Sequence, residues 1–336
     1  MKTKLLSRLV YFLFSLAVST YLALLPSHLF KDREAYLFYL SNMDARKERL
    51  IENGLLFYEP LFYVLNYIVL LIFGNEESAL IALVFICCIT INYYFYKLTN
   101  SIKVSLILLI MLLLQQQTFG LLLVTFRQGL ALALFLIIIS YTSNKKYVVL
   151  GLFLAGLVHS TFLLLCFLYF LLEFFKKKGW SFTKRNWIML LVCICINFSF
   201  FFLAVLFDIR QDYSDHKVGV GGGGFLFWMI VLLYILFVKK RTVLGVVDSK
   251  FNFPKFCYEF AVVGLFLYLS AYFISPIAGR IIGVFIPFIY LAIFYKRTIL
   301  DCIFLMVILI INSYIFFTGG AEGFLDVKLD VFLNAL

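Results

Sequence analysis

Apolar residues run through this chain in long blocks separated by short polar intervals. Eleven such runs stand out, at 5–25, 56–73, 78–96, 102–119, 123–141, 147–173, 187–207, 224–238, 257–275, 278–295 and 299–317. Most are close to the length of about 20 residues that a helix needs to cross a bilayer. They show no strand-like alternation, so the pattern predicts an all-α polytopic membrane protein with about ten to twelve transmembrane helices. The polar intervals never reach domain size. The longest, near 26–57, reads as one outward loop, and 208–223 as another. Residues 1–336 are therefore expected to form a single integral membrane domain, with the tail 318–336 on the outer side.

Composition agrees with the pattern. Hydrophobic residues make up 64% and charged residues 14% of the 336 positions, and mean hydropathy is +1.03. A soluble fold of this size has too little interior to hide that much apolar surface. A water-soluble enzyme and a machine driven by its own nucleotide-binding domain are excluded, and no G-x-x-x-x-G-K-[ST] sequence occurs. The first run has a basic flank but no clear small-x-small cleavage site, so it reads as a retained helix. No internal repeat is visible, which weighs against a transporter built from duplicated halves.

The net charge of +11 is mostly topology. Basic residues gather at Lys2/Lys4/Arg8, Lys176–Lys178 with Lys184/Arg185, Lys239–Arg241 and Lys296/Arg297, the positive-inside pattern of cytoplasmic loops. Nucleic acid is not implied as a partner. The front half admits two topologies. Eleven simple crossings leave Lys97, Lys103, Lys145 and Lys146 outside, against the rule. The other topology breaks 147–173 near Gly156–Ser160 and makes 56–73 re-entrant. It returns those lysines to the cytoplasm and carries Arg127 and His159 to the outer face, and it is the one the charge bias favours. The seven cysteines lie in or beside apolar runs and read as small buried hydrophobes. No metal-ligand spacing appears.

Ionisable residues inside apolar runs are functional candidates. Glu59 in Tyr58-Glu59-Pro60 stands where a helix should begin. It reads as a helix-start acid, as a hydrogen-bond acceptor for a polar substrate, or as the partner of an arginine. Arg127, followed by Gln128 and Gly129, offers a planar fork beside close backbone, suited to phosphate or carboxylate. His159 fits a packed core position, anion binding or proton relay. Arg280 is either an interface anchor or a second cation at the outer leaflet. The loop with Arg210, Asp212, Tyr213 and Asp215, ending in Gly221–Gly224, carries groups suited to sugar hydroxyls and to a general base. It equally fits a solvated loop. Asp32 and Tyr36 occupy the other outward loop, whose mixed charges also fit an exposed helix.

The order of these motifs is a resemblance in itself. Asp32-x-x-x-Tyr36 precedes Tyr58-Glu59-Pro60 and Leu65-Asn66. Arg127-Gln128-Gly-Leu-Ala131 then leads to Lys145-Lys146, and His159-Ser160, the Tyr213 loop and Arg280 follow. This series resembles the EpsG-like family and the Wzy-type O-antigen and capsule polymerases, over roughly residues 25–295. The resemblance implies a multi-pass glycosyltransferase of the bacterial inner membrane, similar to the polyprenyl-phosphosugar-dependent (GT-C-like) membrane enzymes and without a cofactor. Its donor and acceptor are oligosaccharide units on undecaprenyl pyrophosphate, joined on the periplasmic face, with membrane lipid and a chain-length regulator as partners. In that frame Arg127, Arg280 and Arg210 are expected at the pyrophosphate. Asp212 or Asp215, then Glu59, are expected as base, with His159 fitting either role. Asp32, Tyr36, Tyr213 and Gln128 are expected at the sugars. An O-antigen ligase, a lipid-linked oligosaccharide flippase and a membrane O-acyltransferase are the competing classes.

Overall fold

The computed structural model describes residues 2–52, 59–99, 101–142, 144–206, 222–240, 252–274 and 278–336. Helices dominate, and among the described residues the only β pairing is an isolated bridge between Phe30 and Leu325. The chain divides into two compact units, Met1–Cys166 with Met306–Leu336, and Phe167–Leu305.

The first unit is built on α1 (Lys2–Leu24), α2 (Arg33–Ser41), α3 (Met43–Glu52), α4 (Pro60–Phe73) and α5 (Glu76–Thr99). It continues with α6 (Ile102–Leu113), α7 (Gln116–Leu123), α8 (Phe126–Tyr141), α9 (Lys145–Gly156) and the start of α10 (Thr161–Lys177). Helix α5 is the post around which the others pack. Tyr11 of α1 stacks on Tyr96 of α5 with ring centroids 4.6 Å apart, and Asn92 donates to Ser19 Oγ at 3.3 Å. On the other side α8 approaches closely because Gly129 has no side chain. A Cβ there would lie 2.6 Å from Cys87 Sγ and 2.7 Å from the Leu121 carbonyl oxygen.

The second unit comprises α11 (Phe182–Leu206), α12 (Gly223–Tyr234) running into a π-helical turn at Ile235–Lys239, α13 (Phe253–Ala271) and α14 (Ala278–Phe294). Its centre is the α13–α14 pair, where Gly264 lies against Phe285. Phe256, Phe260, Phe285 and Phe288 interlock there, with Phe260–Phe285 at 4.8 Å and Phe260–Phe288 at 4.9 Å. Asn197 of α11 donates to the Leu267 carbonyl and to Ser270 Oγ, at 3.0 and 2.6 Å. Helix α15 (Ile299–Phe317) begins in this unit and ends in the first.

The all-α polytopic class expected from the sequence is the one observed, but the apolar runs do not become equal crossings. Among the described residues five helices are long and apolar enough to span by themselves, namely α1, α5, α11, α13 and α15. Helices α6 and α7, read from sequence as the simple span 102–119, are bent by 89° at a short break and make a sixth only if counted together. Four further apolar helices are shorter, α4, α8, Gly223–Lys239 and α14. At 1.5 Å per residue the 14 residues of α4 reach about 21 Å, short of a hydrocarbon core of about 30 Å. The run 147–173 is interrupted at 157–160, as the charge-favoured topology required.

The cysteines need one correction. All seven are free, and Cys87, Cys88, Cys193 and Cys257 are buried and Cys166 partly so, but Cys195 and Cys302 are exposed on the outer faces of their helices.

Candidate functional site

The breaks in the first unit are stitched to one another. Helix α4 begins at Pro60, whose ring suits a first helical turn. Glu59 precedes it with φ 54 and ψ 60, a left-handed conformation costly for a residue with a Cβ. The twist turns its carboxylate away from its own helix, where it makes no cap, and toward the opening of α10. There Glu59 Oε1 accepts the Ser160 N–H at 3.1 Å. In return the Leu61 N–H donates to the Leu157 carbonyl at 3.0 Å. Two interruptions about 100 positions apart in the chain therefore complete each other's backbone, which a nonpolar surround requires.

Arg127 sits in the first turn of α8 and reaches this junction. Its Nη1 donates to Glu59 Oε2 at 3.0 Å and its Nε to the Tyr36 hydroxyl oxygen at 3.3 Å. Both carboxylate oxygens of Glu59 are thus engaged. Arg127 spends two donors on these contacts, and its side chain keeps 42% exposure against 11% for Glu59. A guanidinium has five N–H donors, so the remaining ones are available to an anion at the exposed edge.

Tyr36 supplies the floor. It lies one turn beyond Asp32, and its ring is 4.0 Å from that of Phe126 and 6.3 Å from that of Phe62. Burial pushes the phenol above its ordinary range, outweighing the pull of the adjacent Arg127 cation. The phenol therefore stays protonated, accepting from Arg127 and holding a hydrogen to donate. Asp32 itself is half-buried at φ 67, ahead of α2, and its carbonyl accepts the Tyr36 N–H at 3.1 Å.

His159 lies in the break before α10. Its Nδ1 accepts the Thr161 N–H at 3.2 Å and stands 3.7 Å from Glu59 Oε1. The first contact uses the Nδ1 lone pair, and the second would need a proton on the same nitrogen. Gln128 donates from Nε2 to Thr161 Oγ1 at 3.4 Å, while its buried Oε1 has no partner among the described residues.

Five of the residues singled out in the sequence, Tyr36, Glu59, Arg127, Gln128 and His159, therefore meet at one polar centre in the first unit. Arg280 is exposed, in the first turn of α14, in the second unit. Arg210, Asp212, Tyr213 and Asp215 lie outside the described residues. Among the described residues no group of three His, Cys, Asp or Glu is placed to hold a metal ion.

Arg33 lies in the stretch whose mixed charges fit an exposed helix, yet the structure buries it to 1% exposure. Its Nη1 donates to the Leu25 carbonyl at 2.8 Å and its Nε to the Leu123 carbonyl at 3.1 Å, with the Phe30 ring 4.1 Å away. It ties the segment carrying Asp32 and Tyr36 to the end of α7, three residues before α8 begins. A signal was present. Arg33, Tyr36 and Leu40 share the i, i+3, i+7 stripe of one helix face, and all three are buried.

The tail joins the same region. Leu325 bridges Phe30 through Lys31 N–H to Phe324 O at 3.2 Å and Asp326 N–H to Leu29 O at 3.0 Å. Phe332 packs edge-on to Phe30 and Phe119, each at 5.7 Å. Two segments expected on the same side of the membrane are thus in contact.

Fold and site together define a polytopic all-α membrane protein with an ion-paired, hydrogen-bonded centre built where helices are interrupted. The chain belongs to the EpsG family, whose model matches residues 5–326, essentially its whole length. Members of that family are Wzy-like polysaccharide polymerases, and the chain is accordingly a glycosyltransferase-type polymerase in general terms. No curated protein and no solved structure matches it.

Proposed function

We propose that this protein extends an exopolysaccharide or O-antigen by moving the growing glycan from a polyprenyl-pyrophosphate carrier to the next lipid-linked unit, on the outer face of the bacterial inner membrane. The observation that carries this reading is the Arg127 fork. It is held at a helix break by Glu59 and Tyr36, with its remaining donors on an exposed edge.

In this reaction the acceptor hydroxyl oxygen attacks the anomeric carbon of the donor. The bond from that carbon to the pyrophosphate oxygen breaks, and its electron pair leaves with the pyrophosphate. The charge that grows on the leaving group needs a cation already in place. Arg127 is that cation, with Arg280 and Arg210 as further ligands. Glu59 acts by orienting Arg127 and the start of α10, because both of its oxygens are occupied. The acceptor proton passes to Asp212 or Asp215 of the 208–223 loop, with His159 as the alternative base within the centre. Tyr36, Gln128 and Asp32, with Tyr213 of the loop, address the sugar.

The test is a chain-length ladder of surface polysaccharide from cells carrying only the variant gene. Arg127→Ala is expected to abolish long chains while single lipid-linked units still accumulate. Arg127→Lys keeps the charge but loses the fork, and is expected to leave a residual short ladder. A normal ladder in Arg127→Ala would sink the proposal.

A further inference from the structure

The second unit carries a groove that the polymerase reading does not use. It encloses about 890 Å³ between α11 and the helix Gly223–Lys239, against α13. That volume is within the range of about 300–1,000 Å³ typical of small-molecule sites. Trp187, Leu190, Met229, Leu233 and Phe237 line its length. Trp187 and Phe237 are 63% and 74% exposed, so the groove opens sideways toward lipid.

One end is cationic. Lys240 and Thr183 line the mouth beside Phe182. Lys240 Nζ is 5.0 Å from the centre of the Phe182 ring, and Lys184 lies 4.4 Å over Trp180. The π-helical turn at Ile235–Lys239 assigns the two adjacent lysines different tasks. Lys239 is buried, 3.1 Å from Asp301 Oδ2 and donating to the Tyr295 carbonyl at 2.8 Å. Lys240, one residue on, lines the groove.

The depth selects the occupant. From Phe182 to Leu190 along α11 is about 12 Å, and from Lys240 back to Met229 about 16 Å, at 1.5 Å per residue. One leaflet of a hydrocarbon core about 30 Å thick is about 15 Å deep. A groove of about 12–16 Å that starts at a basic end therefore matches the length of one acyl chain. Basic loops mark the cytoplasmic side, where anionic headgroups are found.

We infer that this groove is a binding site for an anionic phospholipid of the cytoplasmic leaflet, with an acyl chain along Trp187 and Leu233 and its phosphate at Lys240. The site concerns a different unit from the proposed glycan chemistry, so the two readings stand or fall separately.

The test uses the full-length protein in detergent, with native mass spectrometry after adding dioleoyl phosphatidylglycerol or dioleoyl phosphatidylcholine. The wild type is expected to retain the phosphatidylglycerol at least fivefold better, a factor on the order of one interfacial cation. Lys240→Ala is expected to bring the two lipids within about twofold. Leu233→Trp, which fills the groove but keeps the cation, is expected to lose both lipids from this site. Lys146→Ala, in the first unit, is expected to change nothing. Equal retention of the two lipids by the wild type, or a preference that survives Lys240→Ala, would overturn the inference. So would displacement of the phosphatidylglycerol by an equimolar long-chain polyprenyl phosphate, which would reassign the groove to the carrier lipid.

Discussion

Glu59 and Arg127, 68 positions apart, are joined by an ion pair of 3.0 Å at the meeting point of two interrupted helices. Glu59→Gln keeps the size and one acceptor but removes the charge that holds the fork. A hydrogen bond to a charged group contributes about 1.5–3 kcal/mol, so polymer yield is expected to fall by about tenfold to a hundredfold. The double variant Glu59→Gln/Arg127→Lys should leave the same residual ladder as Arg127→Lys alone, since the two act as one unit. Additive losses in the ladder assay would show that Glu59 has a task of its own, such as that of a base.

Tyr36 separates packing from chemistry. Tyr36→Phe keeps the ring against Phe62 and Phe126 and removes the oxygen that accepts from Arg127 Nε. Activity is expected to drop severalfold with an unchanged melting temperature in detergent. Tyr36→Ala empties a buried aromatic site and should also destabilise the protein, by about 3–5 kcal/mol. Equal activity of wild type and Tyr36→Phe would remove the hydroxyl from the site.

Gly129 tests the closeness of α8 to its neighbours. A Cβ at this position meets both Cys87 Sγ and the Leu121 carbonyl oxygen. Gly129→Ala is expected to destabilise by about 1–3 kcal/mol through overpacking. Cys87→Ala in the same chain should restore only part of the loss, because the carbonyl contact remains. Full rescue in thermal melts would place all the strain on the sulfur.

Arg33 is expected to be intolerant even of lysine. Its fork serves two carbonyls, Leu25 and Leu123, and an ammonium lacks that planar geometry. An unpartnered buried carbonyl costs about 1–3 kcal/mol, so Arg33→Lys should lower the melting temperature and weaken the ladder together. Retained stability with lost activity would instead point to a direct role at the site.

Reporter fusions at 97–103 and 142–147 are expected to give cytoplasmic signal, in keeping with Lys97, Lys103, Lys145 and Lys146. Periplasmic signal from both would restore simple crossings in the front half and place Arg127 on the inner face.

Much of the candidate site was legible because charge is scarce. In a chain with 14% charged residues, an arginine or glutamate within an apolar run has few alternative explanations. That logic found Glu59, Arg127 and His159, and the partnership of Glu59 with an arginine was among its readings. It failed for Arg33, which stands in a polar stretch where burial has no compositional mark. It also failed for the 89° break between α6 and α7, because an apolar run does not reveal where its helix turns.

The sequence by itself determined the solvent and the class. Its apolar length demands lipid, and in lipid the backbone must satisfy itself in helices. Only the tertiary structure decided which apolar runs span and which stop short. That choice depends on whether another segment can complete the hydrogen bonds of an interrupted helix. Glu59 does so for Ser160, and Leu157 for Leu61, through contacts that no local pattern encodes.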